Sequence, residues 1–186
     1  MEFENIAKAA KLAALKLQDI NSETKNNVLE EIKKSLSNSR EEIFFANKTD
    51  LKVAEEQVKS GNLSQAIYNR LKLDDKKFNS MLAGVDDLIK LDDPIGKCLL
   101  ARELDEGLNL YKISCPIGVL GVIFEARPDV ITQISALAIK SSNAVILKGG
   151  KEAVNTNKAL FKAIQFAIDV VKDFPSSAIQ QVFSHD

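Results

Sequence analysis

The residues best suited to chemistry are Lys148-Gly149-Gly150-Lys151, between an apolar run and a helical pattern. Glycines let backbone N–H groups approach an anion closely, and the start of a following helix adds partial positive charge. Two ammonium groups alongside suit a phosphate. The pattern is neither G-x-G-x-x-G nor G-x-x-x-x-G-K-[ST]. On residues alone, a cofactor-phosphate cradle and a plain turn with solvated lysines are equally supported. A second cluster, Glu125, Arg127 and Asp129, ends the preceding apolar run. It reads as a ligand site at a strand end, or as a helix-start ion pair in which the macrodipole favours Asp129. An arginine set between two acids and next to a proline tips the balance toward a ligand site.

Other candidates carry less. Cys115 precedes Pro116 but has no histidine near it in sequence, and it reads as an inert thiol, buried or partly exposed. Cys98 reads the same way. The one histidine, His185, falls at an exposed chain end. Two cysteines and one histidine without ligand spacing argue against a metal site.

The elements around these residues follow from periodicity. Ile117 to Phe124 is an uncharged, β-branched run that predicts a strand buried on both faces of a parallel sheet, with Gly118 and Gly121 inside it. Pro128 suits a helix's first turn, and Val130, Ile134, Leu137 and Ala138 then recur at helical spacing. Ser141-Ser142-Asn143 ends that helix, and Ala144 to Leu147 is a second strand. Val154, Leu160, Ala163, Ile164, Ala167 and Val171 mark a long helix, and Ala178 to Phe183 a third strand. This is half of a doubly wound sheet, with right-handed crossovers and a helix expected on each face.

The first half predicts helices. One covers about Phe3 to Gln18, with Ile6, Ala10, Ala13 and Leu17 inward. A second is capped by Ser22, and a third opens on a Ser39–Glu42 capping box. Ser60-Gly61-Asn62 stops the third. A short helix spans Ser64 to Leu71, and another is capped by Asp74. Leu99 to Leu104 and Leu108 to Ile113 form a hairpin around Asp105-Glu106-Gly107.

Composition sets outer bounds. The chain has 186 residues, 45% of them hydrophobic and 27% charged, so it has material for a core. Its net charge of −1 exerts no pull toward nucleic acid or an anionic membrane. No apolar run is long enough to span a bilayer, and two free thiols suit a reducing, cytoplasmic setting.

The strings PIGVLGVIFEARPDV and NAVILKGGKEA closely resemble gamma-glutamyl phosphate reductase, or glutamate-5-semialdehyde dehydrogenase, of the aldehyde dehydrogenase superfamily. FFANKTDL, LSQAIYNRLKL and DPIGK extend the resemblance through nearly the whole chain. Glu125-Ala126-Arg127-Pro128 sets it apart from general aldehyde dehydrogenases. The resemblance implies an α/β fold, with N-terminal helices and a hairpin leading into a partial doubly wound parallel sheet. It divides the chain into a helical part (1–98), a hairpin that contacts other subunits (99–114) and the first β-α-β-α-β of a dinucleotide-binding sheet (115–186).

The implied reaction is NADPH-dependent reduction of L-glutamyl 5-phosphate to L-glutamate 5-semialdehyde and phosphate, in proline biosynthesis. In that family a cysteine thiolate is acylated, and hydride from the nicotinamide then reduces the thioester. By similarity, Lys148 approaches the adenosine ribose or its phosphate, and Lys151 stands where NAD-preferring relatives place an acid, which suits the 2′-phosphate of NADP. Gly149 and Gly150 complete that cofactor site. Glu125 and Arg127 are substrate-binding candidates. Arg127 falls where general aldehyde dehydrogenases carry an oxyanion-stabilising asparagine. Family members are longer, and neither Cys98 nor Cys115 matches their nucleophile. The catalytic cysteine is therefore expected beyond Asp186, the chain alone is expected to be inactive, and the full-length protein is expected to form a homo-oligomer. The alternative is a truncated, non-catalytic paralogue that binds nucleotide or pairs with a full-length subunit.

Overall fold

A computed structural model describes residues 2–183, and His185 lies outside them. Five helices lead the chain: α1 Glu2–Leu17, α2 Ser22–Asn38, α3 Arg40–Lys59, α4 Gln65–Leu71 and α5 Asp75–Lys90. A hairpin of β1 Cys98–Asp105 and β2 Leu108–Ile113 follows. Then come β3 Val119–Phe124, α6 Asp129–Lys140, β4 Ala144–Gly149, α7 Val154–Val170 and β5 Ile179–Val182.

Local signals decide most helix ends. Asp74 accepts the Lys77 N–H at 2.8 Å, and Ser64 accepts that of Ile67 at 3.3 Å. Two expected caps differ. The cap of α2 is Asn21, whose Oδ1 accepts the Thr24 N–H at 2.8 Å. Asn21 holds the extended backbone that a cap requires, whereas Ser22 is already helical. The Ser39 capping box does not form: Ser39 makes no side-chain cap bond. It is the single residue between α2 and α3, and its near-helical backbone donates to Ser35 and accepts from Ile43.

The sheet is parallel in the order β3-β4-β5. Both crossovers step the same way, so right-handed connections put α6 and α7 on one face, where they touch each other. The expectation of one helix per face is thus corrected. The other face meets α1, which runs against all three strands. Gln180 of β5 reaches from that face to the Ile6 carbonyl at 3.0 Å.

Burial on both faces belongs to β4, not β3. Ala144, Val145, Leu147 and Gly149 are buried. In β3, Leu120, Val122 and Phe124 pack on the core while Val119, Gly121 and Ile123 face out, Ile123 being 79% exposed. β3 is an outer strand among the described residues, so only its inward pleat is covered. Gly118 precedes β3 rather than lying within it. Its φ of 117° is glycine territory, and its N–H donates to the buried Asn143 at 2.8 Å, tying the starts of β3 and β4. On α6 the buried face is Ile131, Ser135, Ala138 and Ile139, with Leu137 53% exposed. That helix is flanked by α2, α5, α7 and β4, and its burial follows those neighbours rather than the apolar stripe.

Every residue of the hairpin strands is exposed, including Leu99, Leu104, Leu108 and Tyr111. A buried ion pair sits near its root. Lys25, 2% exposed, meets Asp93 at 2.7 Å, and Lys140 donates to Asn26 at 2.8 Å and to the Ile89 carbonyl at 3.3 Å. Burial pushes the Asp93 carboxyl up. The Lys25 and Ile95 hydrogen bonds, with the charges of Lys25 and Lys140, outweigh burial and hold it below the ordinary carboxylate value. A depressed folded pKa stabilises fully above the unfolded pKa and is lost as pH falls through the folded value. Melting temperature should therefore fall as pH drops below the ordinary carboxylate range, and Asp93→Asn should flatten part of that limb. Identical acid limbs in melts of both proteins would remove Asp93 from the account.

Candidate functional site

Phe124 pairs in register with Gly149, so the turns after β3 and β4 leave the sheet side by side at its carboxyl edge. That is the edge where open α/β sheets bind ligands. The structure thus brings together the two clusters singled out above, Glu125–Arg127 and Lys148–Lys151. Glu152 ties them: its Oε1 accepts the Ala126 N–H at 2.7 Å. Its carboxylate folds over Gly150, where a Cβ would collide with it. A Cβ on Gly149 would meet the Asn157 amide and the Phe124 ring. Gly149 leaves room for the Asn157 amide and the Phe124 ring, whereas a side chain at Gly150 would displace the Glu152 carboxylate.

Ala126 holds a φ of 45°, a conformation that costs a non-glycine residue about 1 kcal/mol or more. It is held there by the Glu152 bond and by packing. Ala126, Ala153, Ala54 and Leu71 form a small buried cluster that Leu51, Leu63, Ile67 and Tyr68 cover. Helix α4 is thereby seated beneath both turns.

The start of α7 differs from expectation. A turn of 3-10 helix, Lys151–Ala153, precedes it. Asp50 of α3, 4% exposed, already occupies its first N–H groups. One carboxylate oxygen accepts Asn155 N–H at 3.2 Å and Asn155 Nδ2 at 2.8 Å, and the other accepts Thr156 N–H at 2.7 Å and Thr156 Oγ1 at 2.6 Å. At the positive end of α7, the Asn155 and Thr156 N–H groups are therefore met by a carboxylate from within the protein. Asn47 completes the network, donating to the Leu71 carbonyl at 2.8 Å and accepting the Leu73 N–H at 3.0 Å.

Asn47, Asp50 and Glu152 escaped the reading of the sequence. The first two had a signal. They lie four and seven residues after Ile43 on the stripe that ends at Ala54, so two polar groups break an apolar face. Glu152 had none, because its partner lies 26 residues earlier across a strand pair.

What remains for an anion is side-chain charge. Lys148 is half-buried and Lys151 exposed, and neither has an ion-pair partner among the described residues. Glu125 is exposed. Arg127, 60% exposed, pairs loosely with Asp129 at 3.5 Å. The donor set fits a phosphate held by ammonium groups rather than by a helix end.

Both cysteines are exposed, which corrects the expectation of at least partly buried thiols. Cys98 opens β1 and Cys115 follows β2, so they flank the hairpin rather than the strand-end turns. Among the described residues no three His, Cys, Asp or Glu side chains gather as a metal site. No described helix is long and apolar enough to cross a membrane.

No family model matches the chain. Individual relatives do. Gamma-glutamyl phosphate reductase of Brachyspira hyodysenteriae is 50% identical over all of this chain, which covers 43% of that protein. The solved Saccharomyces cerevisiae gamma-glutamyl phosphate reductase superposes with a TM-score of 0.91 at 42% identity, over 98% of this chain and 46% of that one. Methylmalonate-semialdehyde dehydrogenase from Oceanimonas doudoroffii shares the fold alone, with a TM-score of 0.70 at 16% identity, over 96% of this chain and 33% of that one. The chain spans less than half the length of each. Over the part it spans, the chain is similar in sequence from end to end to the gamma-glutamyl phosphate reductases, and its fold is that of the aldehyde dehydrogenases.

Proposed function

We propose that this chain is the N-terminal, nucleotide-binding portion of an NADP(H)-dependent reductase that converts L-glutamyl 5-phosphate to L-glutamate 5-semialdehyde and phosphate. The observation that carries the reading is the pair of ammonium groups, Lys148 and Lys151, without ion-pair partners among the described residues, at the carboxyl edge of the sheet beside Glu125 and Arg127. The nicotinamide cofactor, when bound, supplies the reducing equivalent. Lys151 holds the 2′-phosphate and Lys148 the adenosine ribose. Gly149 and Gly150 keep the corner low, and Glu152 holds its spacing from the substrate-side turn. Arg127 neutralises charge on the acyl phosphate or its carboxylate. The acyl-accepting thiol lies outside these 186 residues, since Cys98 and Cys115 flank the hairpin. The relatives' names favour this reading over a non-catalytic nucleotide-binding module.

The hairpin is assigned to contact with a second subunit. Two strands exposed on both faces are at best marginally stable alone in water, and their leucines ask for cover. Two exposed thiols fit a reducing, cytoplasmic compartment. Fluorescence titration of the 186-residue chain with NADPH and with NADH tests the cofactor assignment. NADPH should bind at least about tenfold more tightly, the effect of about 1.4 kcal/mol from one extra phosphate contact. Equal affinities would remove the 2′-phosphate from the reading.

A further inference from the structure

Beside the nucleotide corner lies an open groove of about 650 Å³, lined by Asn69, Arg70, Lys77, Arg127 and Asp129. Its cations come from three places. Arg70 is in the last turn of α4, Lys77 is in α5, and Arg127 is in the turn after β3. The fold forces them together. Leu71, next to Arg70, and Ala126, next to Arg127, belong to the same buried cluster. The two guanidinium groups are therefore carried on adjoining, packed backbone. Lys77 is anchored by the Lys72 carbonyl at 2.5 Å and that of Arg70 at 3.4 Å. Asp129 is the one acid in the lining. It is shared between Arg127 at 3.5 Å and Gln133 Nε2 at 3.2 Å. Three cations against one carboxylate leave the groove with an excess of two positive charges.

Two guanidinium-bearing side chains and a lysine lining one open groove suit an oxyanion, which arginine grips bidentately. Bulk solvation of a lone surface arginine would not require another from 57 residues away to face the same groove. We propose that Arg70 and Lys77 join Arg127 as an oxyanion site that holds the charged end of the substrate, its phosphoryl group or its amino-acid carboxylate. The assignment rests on the reductase reading for the identity of the ligand, but not for the existence of the site. It separates the anion work of the protein into two places, with the corner for the nucleotide and the groove for the substrate.

Calorimetric titration of the 186-residue chain at low ionic strength, with inorganic phosphate and separately with L-glutamate, tests it. Arg70 is exposed, so Arg70→Gln should keep the wild-type melting temperature. Arg70→Gln and Arg127→Gln should each weaken phosphate binding at least about tenfold, the loss of one charge-assisted contact. Lys162→Gln, on a remote helix, should leave it unchanged. Weakening of phosphate alone assigns the groove to the phosphoryl group, and weakening of L-glutamate alone assigns it to the carboxylate. NADPH affinity should survive Arg70→Gln. Absence of phosphate and glutamate binding, or unchanged affinity for both in Arg70→Gln, overturns the site. If Lys151→Glu abolishes phosphate binding while Arg70→Gln does not, the corner holds the anion. The groove proposal then fails and the nucleotide reading stands.

Discussion

Asp50→Ala is expected to cost about 3 kcal/mol of stability, more than the 0.5–2 of an ordinary helix cap. The reason is the number of groups left behind. The carboxylate satisfies four donors from Asn155 and Thr156, and at 4% exposure no bulk water replaces it. For a chain of this length the loss corresponds to a fall in melting temperature of about 6–12 °C. Asp50→Asn should cost roughly half as much. Its single carbonyl oxygen still serves one side of the network, while its amide confronts donors with another donor. Hydrogen exchange at Asn155 and Thr156 should accelerate in both variants, ahead of the core of α7. A loss below about 0.5 kcal/mol, the range of an ordinary surface substitution, would mean that the α3–α7 clasp contributes nothing beyond a solvated cap.

The second large effect is on cofactor choice. Lys151→Glu should weaken NADPH binding by about thirtyfold and leave NADH binding nearly unchanged, reversing the preference. Exchanging attraction for repulsion near a phosphate at partly solvated distances amounts to about 2 kcal/mol. Lys148→Met, which keeps the stem of a half-buried side chain, should weaken NADPH binding about tenfold. The Lys151 effect should shrink with added salt, because an exposed ammonium is screened within a Debye length of about 8 Å at physiological ionic strength. The expectation is strengthened by what Asp50 does. With the Asn155 and Thr156 N–H groups of α7 committed to an internal carboxylate, the proposed phosphate contact falls to the lysines. Parallel losses of NADPH and NADH affinity in Lys151→Glu would place the lysine on a moiety that both cofactors share.

Much of this was legible in the residues themselves. Helical spacing, caps and stop signals located the seven α-helices among the described residues, and turn residues such as Gly61, Gly107 and Pro128 located breaks between elements. These signals are local, set by backbone sterics and by which side chains recur on one face. The two charged clusters were legible as well, because strand ends and glycine turns declare themselves over a few residues. The cap of α2 was missed by one position, since Asn21 and Ser22 are both good caps and only the backbone angle at the junction separates them.

What only the tertiary structure decided depends on contacts between distant residues. An apolar run such as Ile117 to Phe124 reads the same in a central strand or an outer one. Its pairing with β4 alone left Ile123 exposed. Strand order, not strand content, put α6 and α7 on one face. Asp50 reaches Thr156 across 106 residues, and Arg70 shares a groove with Arg127 because Leu71 and Ala126 bury one cluster. The residue pattern by itself determined the elements and the lysine–glycine corner. Packing determined that Asp50, an acid of the core, meets the start of the helix behind that corner, so the binding proposed there falls to side chains.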